Sequence, residues 1–218
     1  MKSQLQQKYD AFVAYFSEHM PVAESELHYE NPYQLLVAVI LSAQCTDKRV
    51  NMVTPRLFAS YPTADSLSKA SESDVYEYIK SVSYPNSKSK HLVGMAQMLV
   101  KEYGGEVPST LEELVRLPGV GRKTANVVQA VIWKKAAFAV DTHIFRVSHR
   151  LGLVDDKATT PYAVERVLTK YFPDELIPRA HHWLLLHGRY VCQSRKPKCK
   201  QCGLSEVCKY WIKQQKES

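Results

Sequence analysis

The stretch Leu117-Pro118-Gly119-Val120-Gly121-Arg122-Lys123 constrains this chain more than any other, because two glycines bracket a tight turn and a helical pattern follows at once. Upstream, Ser109 and Thr110 stand three residues before Glu112 and Glu113, a capping-box signature that opens a short helix through Leu114 and Leu117. Downstream, Val127, Val128, Val131 and Ile132 recur at helical spacing, so the segment reads helix, hairpin, helix. Amide N–H groups in such a turn, with the free N–H groups of the second helix, form a concave donor surface suited to a phosphate. Gly-x-Gly alone serves equally well to end one helix and begin another. Lys123 adds a chemical signal. It falls in the first helical turn, where the macrodipole opposes an ammonium, and four residues before Val127, on the line expected to head inward. Further on, Ala139-Val140-Asp141-Thr142-His143-Ile144-Phe145 places a carboxylate at another helix start, where Asp141 is a good N-cap and Val140 can staple to Phe145.

The rest of the chain carries helix signals throughout. Tyr9, Phe12, Val13 and Phe16 form one helical face ahead of Pro21. Asn31-Pro32 supplies an N-cap and a first-turn proline, after which Leu35 to Leu41 is apolar on every side, as a buried central helix requires. Ser42-Ala43-Gln44-Cys45-Thr46-Asp47 breaks the run, with Thr46 or Asp47 available to cap the next helix, which carries Val50, Val53, Leu57 and Phe58. Tyr61-Pro62 and the Ser/Asp-rich stretch to Asp74 read as a connection, and Val75, Tyr78, Ile79 and Val82 as a short helix. Ser83-Tyr84-Pro85-Asn86-Ser87 reads as a turn, with Ser87 capping a helix that Gly104-Gly105 ends. Past Asp141, Gly152 ends a helix, Thr160-Pro161 begins another, and Pro178 opens a last long one that leads to the cysteines. No stretch sustains a strand-like alternation, so the class is all-α.

Cys192, Cys199, Cys202 and Cys208 stand as Cys-x6-Cys-x2-Cys-x5-Cys. No secretory signal precedes them: the N-terminal Met1-Lys2-Ser3-Gln4-Leu5-Gln6-Gln7 has no apolar run, so ligation is favoured over disulfides. Four thiolates suit zinc or an iron–sulfur cluster alike, and spacing does not choose between them. Cys45 reads as a buried thiol, and His181, His182 and His187 as packing residues on an apolar helix. Arg195, Lys196, Lys198 and Lys200 crowd the cysteine loop, either as a solvated face or as phosphate contacts on a rigid support. A net charge of +7 favours a polyanionic partner without identifying one. The apolar run from Leu35 to Leu41 is too short to span a bilayer, and the simplest expectation is a cytoplasmic protein.

LPGVGRKTAN, then VDTHIFRV, then the four-cysteine loop closely resemble the bacterial endonuclease III branch of the helix-hairpin-helix DNA glycosylases, over nearly the whole chain. The resemblance implies a two-lobed fold with a central cleft: a helical bundle over 25–135, and a second lobe from 1–24 plus 136–218 that holds one 4Fe-4S cluster on the four cysteines. It implies that Lys123 is the nucleophile and Asp141 its catalytic partner, facing each other across the cleft. It assigns Gln44 to the space left by an extruded nucleotide. The donor surface of the hairpin is read as the grip on the DNA backbone, at Leu117, Gly119, Val120, Gly121 and Arg122, and the basic cysteine loop, at Arg195, Lys196 and Lys198, as a second phosphate contact. Tyr84 stands where many relatives carry a wedge-forming leucine, and an aromatic ring there can stack on an orphaned base or simply pack in its turn. The implied activity is a glycosylase and abasic-site lyase for oxidised pyrimidines, acting on damaged double-stranded DNA as a monomer, in the bacterial cytoplasm at the nucleoid. Adenine mismatch glycosylases share the hairpin and cluster loop but usually lack the lysine and carry a further C-terminal domain. A non-catalytic DNA-binding module is the rival of another class, and Lys123 paired with Asp141 argues against it.

Overall fold

The computed structural model describes residues 3–217; Met1 and Lys2 of the N-terminal stretch read above, and Ser218, lie outside the described residues. In chain order the α-helices are α1 (Gln4–His19), α2 (Pro32–Ser42), α3 (Asp47–Ser60), α4 (Ala64–Ser68), α5 (Glu72–Ile79), α6 (Pro85–Tyr103), α7 (Leu111–Leu114), α8 (Arg122–Ile132), α9 (Thr142–Leu151), α10 (Pro161–Tyr171), α11 (Ile177–Tyr190) and α12 (Lys209–Glu217). Three short 3-10 turns fill the gaps, and there is no strand among the described residues. No helix among them is long and apolar enough to cross a membrane. The chain divides by its contacts into two compact units, Ser25–Trp133 and the flanking segments up to Glu24 and from Lys134 onward.

The unit 25–133 is built around α2. Its residues Leu35 to Leu41 are all buried, and α3, α6 and α8 pack against it. Asn31 begins the helix by accepting from the Gln34 N–H, with Pro32 in the first turn, as its sequence dictates. Two expectations for this unit change. The Ser/Asp-rich connection contains α4, whose Thr63 and Ser66 form a reciprocal capping box and whose Leu67 is fully buried where α4 packs on α6. With only Ala64 and Leu67 facing inward, the helix is too short to show a period. The long helix α6 begins at Pro85, not after a Ser87 cap; its N-cap is Tyr84, because proline pre-sets the first helical φ and Tyr84 turns the chain through a left-handed conformation. The short helix α7 ends at Leu114, capped by Thr110, so Leu117 lies in the turn beyond it.

The second unit joins the N-terminal helix to the C-terminal half through an aromatic core. Tyr9, Phe12 and Phe16 of α1 pack with Phe172 and Trp183. The polar tips are satisfied: Tyr9 Oη donates to Leu153 O at 2.9 Å and Trp183 Nε1 to Met20 O at 2.8 Å. Here α9 is the hub, packed on α10, α11 and α12. The helix α12 lies beyond the one read above as last; its Lys- and Gln-rich sequence gave little apolar pattern, and none of its residues is buried.

Candidate functional site

The hairpin is seated on α6. Gly119 has φ +79°, and a Cβ there would stand 2.9 Å from His91 Cβ and 3.1 Å from His91 Cγ. One helical turn along α6, Gly94 leaves room for Pro118, whose Cγ would be 3.4 Å from a Cβ at 94. The turn closes with Val120 N–H donating to Leu117 O at 3.0 Å. Leu117 and Val120 are buried, so their side chains anchor the hairpin in the core and only their backbone is on offer to a ligand. Gly119, Gly121 and Arg122 are exposed. Gly121 begins α8 with φ −89° and no side-chain cap, whereas α2, α3, α4, α5 and α7 of the same unit each have one. The first-turn amides of α8 thus keep the donor character expected of a phosphate-binding helix start.

Lys123, the second residue of α8, is exposed. The expectation that it follows an inward line through Val127 is corrected. The buried stripe of α8 runs through Ala125, Val128 and Val131, with Asn126, Gln129 and Ala130 beside it, and Val127 is only half-buried at its edge. One residue is a turn of about 100° on a helix, so a line four residues long does not settle which face is buried.

Gln44 and Tyr84 are brought together from distant parts of the sequence. Both are exposed, and both have left-handed backbones, φ 54° and 55°. Such conformations are rare for residues with a Cβ. Ser83 Oγ donates to Gln44 O at 2.5 Å, tying the two turns directly. Cys45 beside them is half-buried, not fully buried as expected, and lies in a different unit from the other four cysteines.

In the second unit, Asp141 caps α9: Oδ1 accepts from His143 N–H at 2.9 Å and Ile144 N–H at 2.8 Å. Arg146 and Arg150, on the same face of α9, reach the cysteine loop. Arg146 donates to Cys192 O (3.1 Å) and Gly188 O (2.9 Å); Arg150 donates to Gln193 O (2.8 Å) and Ser194 O (2.9 Å). Sequence reading passed over both arginines, although their spacing of four on a helix that begins at a candidate catalytic carboxylate was a usable signal.

The five cysteines form no disulfide. Cys192, Cys199, Cys202 and Cys208 line one cavity, with His187 and Trp211 in its wall. Among the described residues no three His, Cys, Asp or Glu side chains converge as ligands of a single metal ion. Four thiols around a shared cavity are a donor set that suits an iron–sulfur cluster or a zinc ion alike. Burial pushes the Cys199, Cys202 and Cys208 thiols up from their ordinary range, with neighbouring thiols adding to it. Arg150 Nη1 lies 3.6 Å from Cys192 Sγ, and Cys208 Sγ donates to Arg150 O at 3.2 Å. Arg195, Lys196 and Lys198 are exposed on this loop. The three histidines of α11 are buried: His181 Nδ1 accepts from Ala139 N–H, His182 Nδ1 bonds Pro178 O, and His187 Nε2 lies 3.7 Å from Cys202 Sγ.

The chain is similar to known proteins both in sequence and in structure. Residues 37–174 match the HhH-GPD superfamily base excision DNA repair protein family. The chain is 46% identical to endonuclease III of Rickettsia prowazekii over 197 residues, covering 90% of this chain and 92% of that one. It is 43% identical to endonuclease III of Bacillus subtilis, covering 90% of each. A solved structure described as a trapped endonuclease III–DNA covalent intermediate matches with a TM-score of 0.90 at 39% identity, over 99% of this chain and 100% of that chain. A thermostable thymine-DNA glycosylase matches with a TM-score of 0.84 at 25% identity, over 96% and 97% of the two chains. The left-handed glycine hairpin, the capped carboxylate and the four-thiol loop thus occur together in a chain that belongs to the endonuclease III family of helix-hairpin-helix base-excision DNA repair enzymes.

Proposed function

We propose that Lys123 is the nucleophile and Asp141 its catalytic partner in this enzyme, a DNA glycosylase with abasic-site lyase activity that acts in base excision repair of oxidised pyrimidines. The supporting observation is the placement of Lys123 immediately behind the phosphate-binding hairpin, at the uncapped start of α8. A phosphate held by the first-turn amides puts the adjoining sugar within reach of that side chain. The covalent DNA intermediate trapped on the matched endonuclease III supports a covalent step in this chain as well.

The damaged nucleotide leaves the stack, at an unstacking cost of a few kcal/mol. Lys123 Nζ, deprotonated, attacks the anomeric carbon, and the base departs with the electron pair of the glycosidic bond. Asp141, whose Oδ1 is engaged by the α9 amides, uses Oδ2 to take up a proton or to balance the cationic sugar. Opening of the sugar gives an imine on Lys123; loss of a sugar proton then expels the 3′ phosphate, and water releases the lysine. Gln44 and Tyr84 occupy the space vacated in the duplex. Leu117, Gly119, Val120, Gly121 and Arg122 grip the backbone at the hairpin, and Arg195, Lys196 and Lys198 neutralise phosphates elsewhere on it.

One 4Fe-4S cluster on Cys192, Cys199, Cys202 and Cys208 would hold the loop bearing those cations rigid, and no chemical step requires it. The two lobes are assigned to 25–135 and to 1–24 plus 136–218. The enzyme works as a monomer on double-stranded DNA, in the cytoplasm at the nucleoid. Borohydride reduction in the presence of abasic-site DNA tests the assignment: the adduct maps to Lys123, and Lys123→Gln abolishes trapping and strand cleavage while retaining DNA binding. An adduct on another lysine refutes it.

A further inference from the structure

Lys88 is buried to 5% exposure, and among the described residues no carboxylate is paired with it. Its ammonium instead donates to two backbone carbonyls, Leu41 O and Ala43 O, both at 2.7 Å. Burying an ammonium is costly unless it is fully hydrogen-bonded, and replacing it by an apolar side chain of similar length would ordinarily be tolerated in a core. Burial also lowers the basicity of this lysine. A cation kept under those conditions has a positional task. The carbonyls it holds end α2, where the helix leaves backbone acceptors without partners of its own. They also bracket Ser42, and the second belongs to the residue before Gln44. Ser83 Oγ takes the next carbonyl, that of Gln44 itself, at 2.5 Å.

Three carbonyls between positions 41 and 44 are therefore received by donors from 83 and 88, which flank Tyr84. Gln44 and Tyr84 each keep a left-handed backbone, which is strained for a residue with a Cβ. That conformation persists only where surrounding bonds over-determine it. One turn further along α6, His91 and Gly94 seat the hairpin, so a single helix fixes both the probing residues and the phosphate grip.

We propose that Lys88 is a positioning residue for damage recognition: by holding Leu41 O and Ala43 O it makes Gln44 and Tyr84 one rigid two-pronged probe that enters the duplex as a unit. This rests on the reading of Gln44 and Tyr84 as duplex-contacting residues. A rigid probe transmits binding energy into base extrusion, whereas a loose one lets Gln44 relax away from an intact stack. Its loss falls on substrates that must still be unstacked. Chemistry at a site whose base is already gone is spared.

The test uses the full-length protein. Lys88→Met keeps the chain length and removes the donor. It is expected to lower kcat/KM for release of an oxidised pyrimidine from duplex DNA at least tenfold, while borohydride trapping on abasic duplex stays within threefold of wild type. Lys88→Arg, which can still reach two carbonyls, restores most of the loss. Amide hydrogen exchange at Gln44 and Cys45 in the free protein accelerates in Lys88→Met and not in Lys88→Arg. Should Lys88→Met fail to fold, Ser83→Ala, which removes a single surface hydroxyl, carries the same two readouts with a smaller expected loss of about threefold. Wild-type base release and unchanged exchange in a folded Lys88→Met, or in Ser83→Ala where that variant must stand in, overturn the proposal. Wild-type base release with accelerated exchange at Gln44 and Cys45 in Lys88→Met overturns the reading of Gln44 and Tyr84 as duplex-contacting residues instead, so the two failures are distinguishable.

Discussion

The two glycines of the hairpin make different demands, and substituting each by alanine separates them. At Gly119 an alanine must adopt φ +79°, which costs about 1–2 kcal/mol. Its Cβ must also stand 2.9 Å from His91 Cβ and 3.1 Å from His91 Cγ, both on the rigid helix α6 rather than at the end of a flexible side chain. Overpacking of this kind adds about 1–3 kcal/mol. Gly119→Ala should therefore destabilise the protein by about 3 kcal/mol, a fall in Tm of about 6–12 °C for a chain of this size. At Gly121 the backbone is ordinary, φ −89°, and a Cβ meets nothing within 4 Å. Gly121→Ala costs only the weaker N-cap, about 1 kcal/mol or less. The assay is denaturant unfolding of both variants, with a double-mutant cycle through His91→Gly. That change removes the obstructing atoms, so the cycle should return about 1–3 kcal/mol of coupling with Gly119→Ala and none with Gly121→Ala. Affinity for duplex DNA should fall with Gly119→Ala more than with Gly121→Ala, because the hairpin is displaced from its seat. Equal effects at the two glycines, or no coupling to His91, refute the account of the hairpin as held by α6.

Three further outcomes are expected. Asp141→Ala removes the acceptor of two amides and should cost about 1–2 kcal/mol in unfolding experiments, whereas Asp141→Asn keeps an oxygen at the cap, costs less, and still slows base release. Burial holds His182 below its ordinary range, so below about pH 6.5 the unfolded chain binds a proton that the folded chain refuses. Stability is then lost as pH falls through that value toward the depressed one, and urea titrations between pH 7 and pH 5 should show a shallower decline in His182→Gln than in wild type. Anaerobically purified protein should be yellow-brown with four irons per chain by metal analysis, and Cys199→Ser should lose iron and weaken DNA binding; stoichiometric zinc without visible absorption would rule out the cluster.

Much of this molecule follows from local physics and is legible in the chain. Asn31-Pro32, Thr46, Thr110, Asp141 and Thr160 cap helices where their side chains permit, and Gly104 and Gly152 end them in left-handed conformations. Those choices depend on a residue and its neighbours within one turn, which is why reading them needs no partner. The apolar run of α2 likewise announces a helix buried on all sides. Other features exist only through contacts distant in sequence. Nothing near Lys88 marks it as buried; it is drawn inward by carbonyls at 41 and 43. Tyr84 becomes a left-handed cap because Pro85 starts a helix whose far side must pack on α4 and α5. Gly119 needs to be glycine both for its own φ and for His91, a residue from another helix. Lys123 shows the converse: its spacing to Val127 pointed inward, and the packing of α8 turned the buried stripe toward Ala125 and Val128 instead. The caps and periods determined which helices form; which side chains those helices bury, strain or leave exposed was decided when the helices met, because burial is a property of the neighbours and not of the residue.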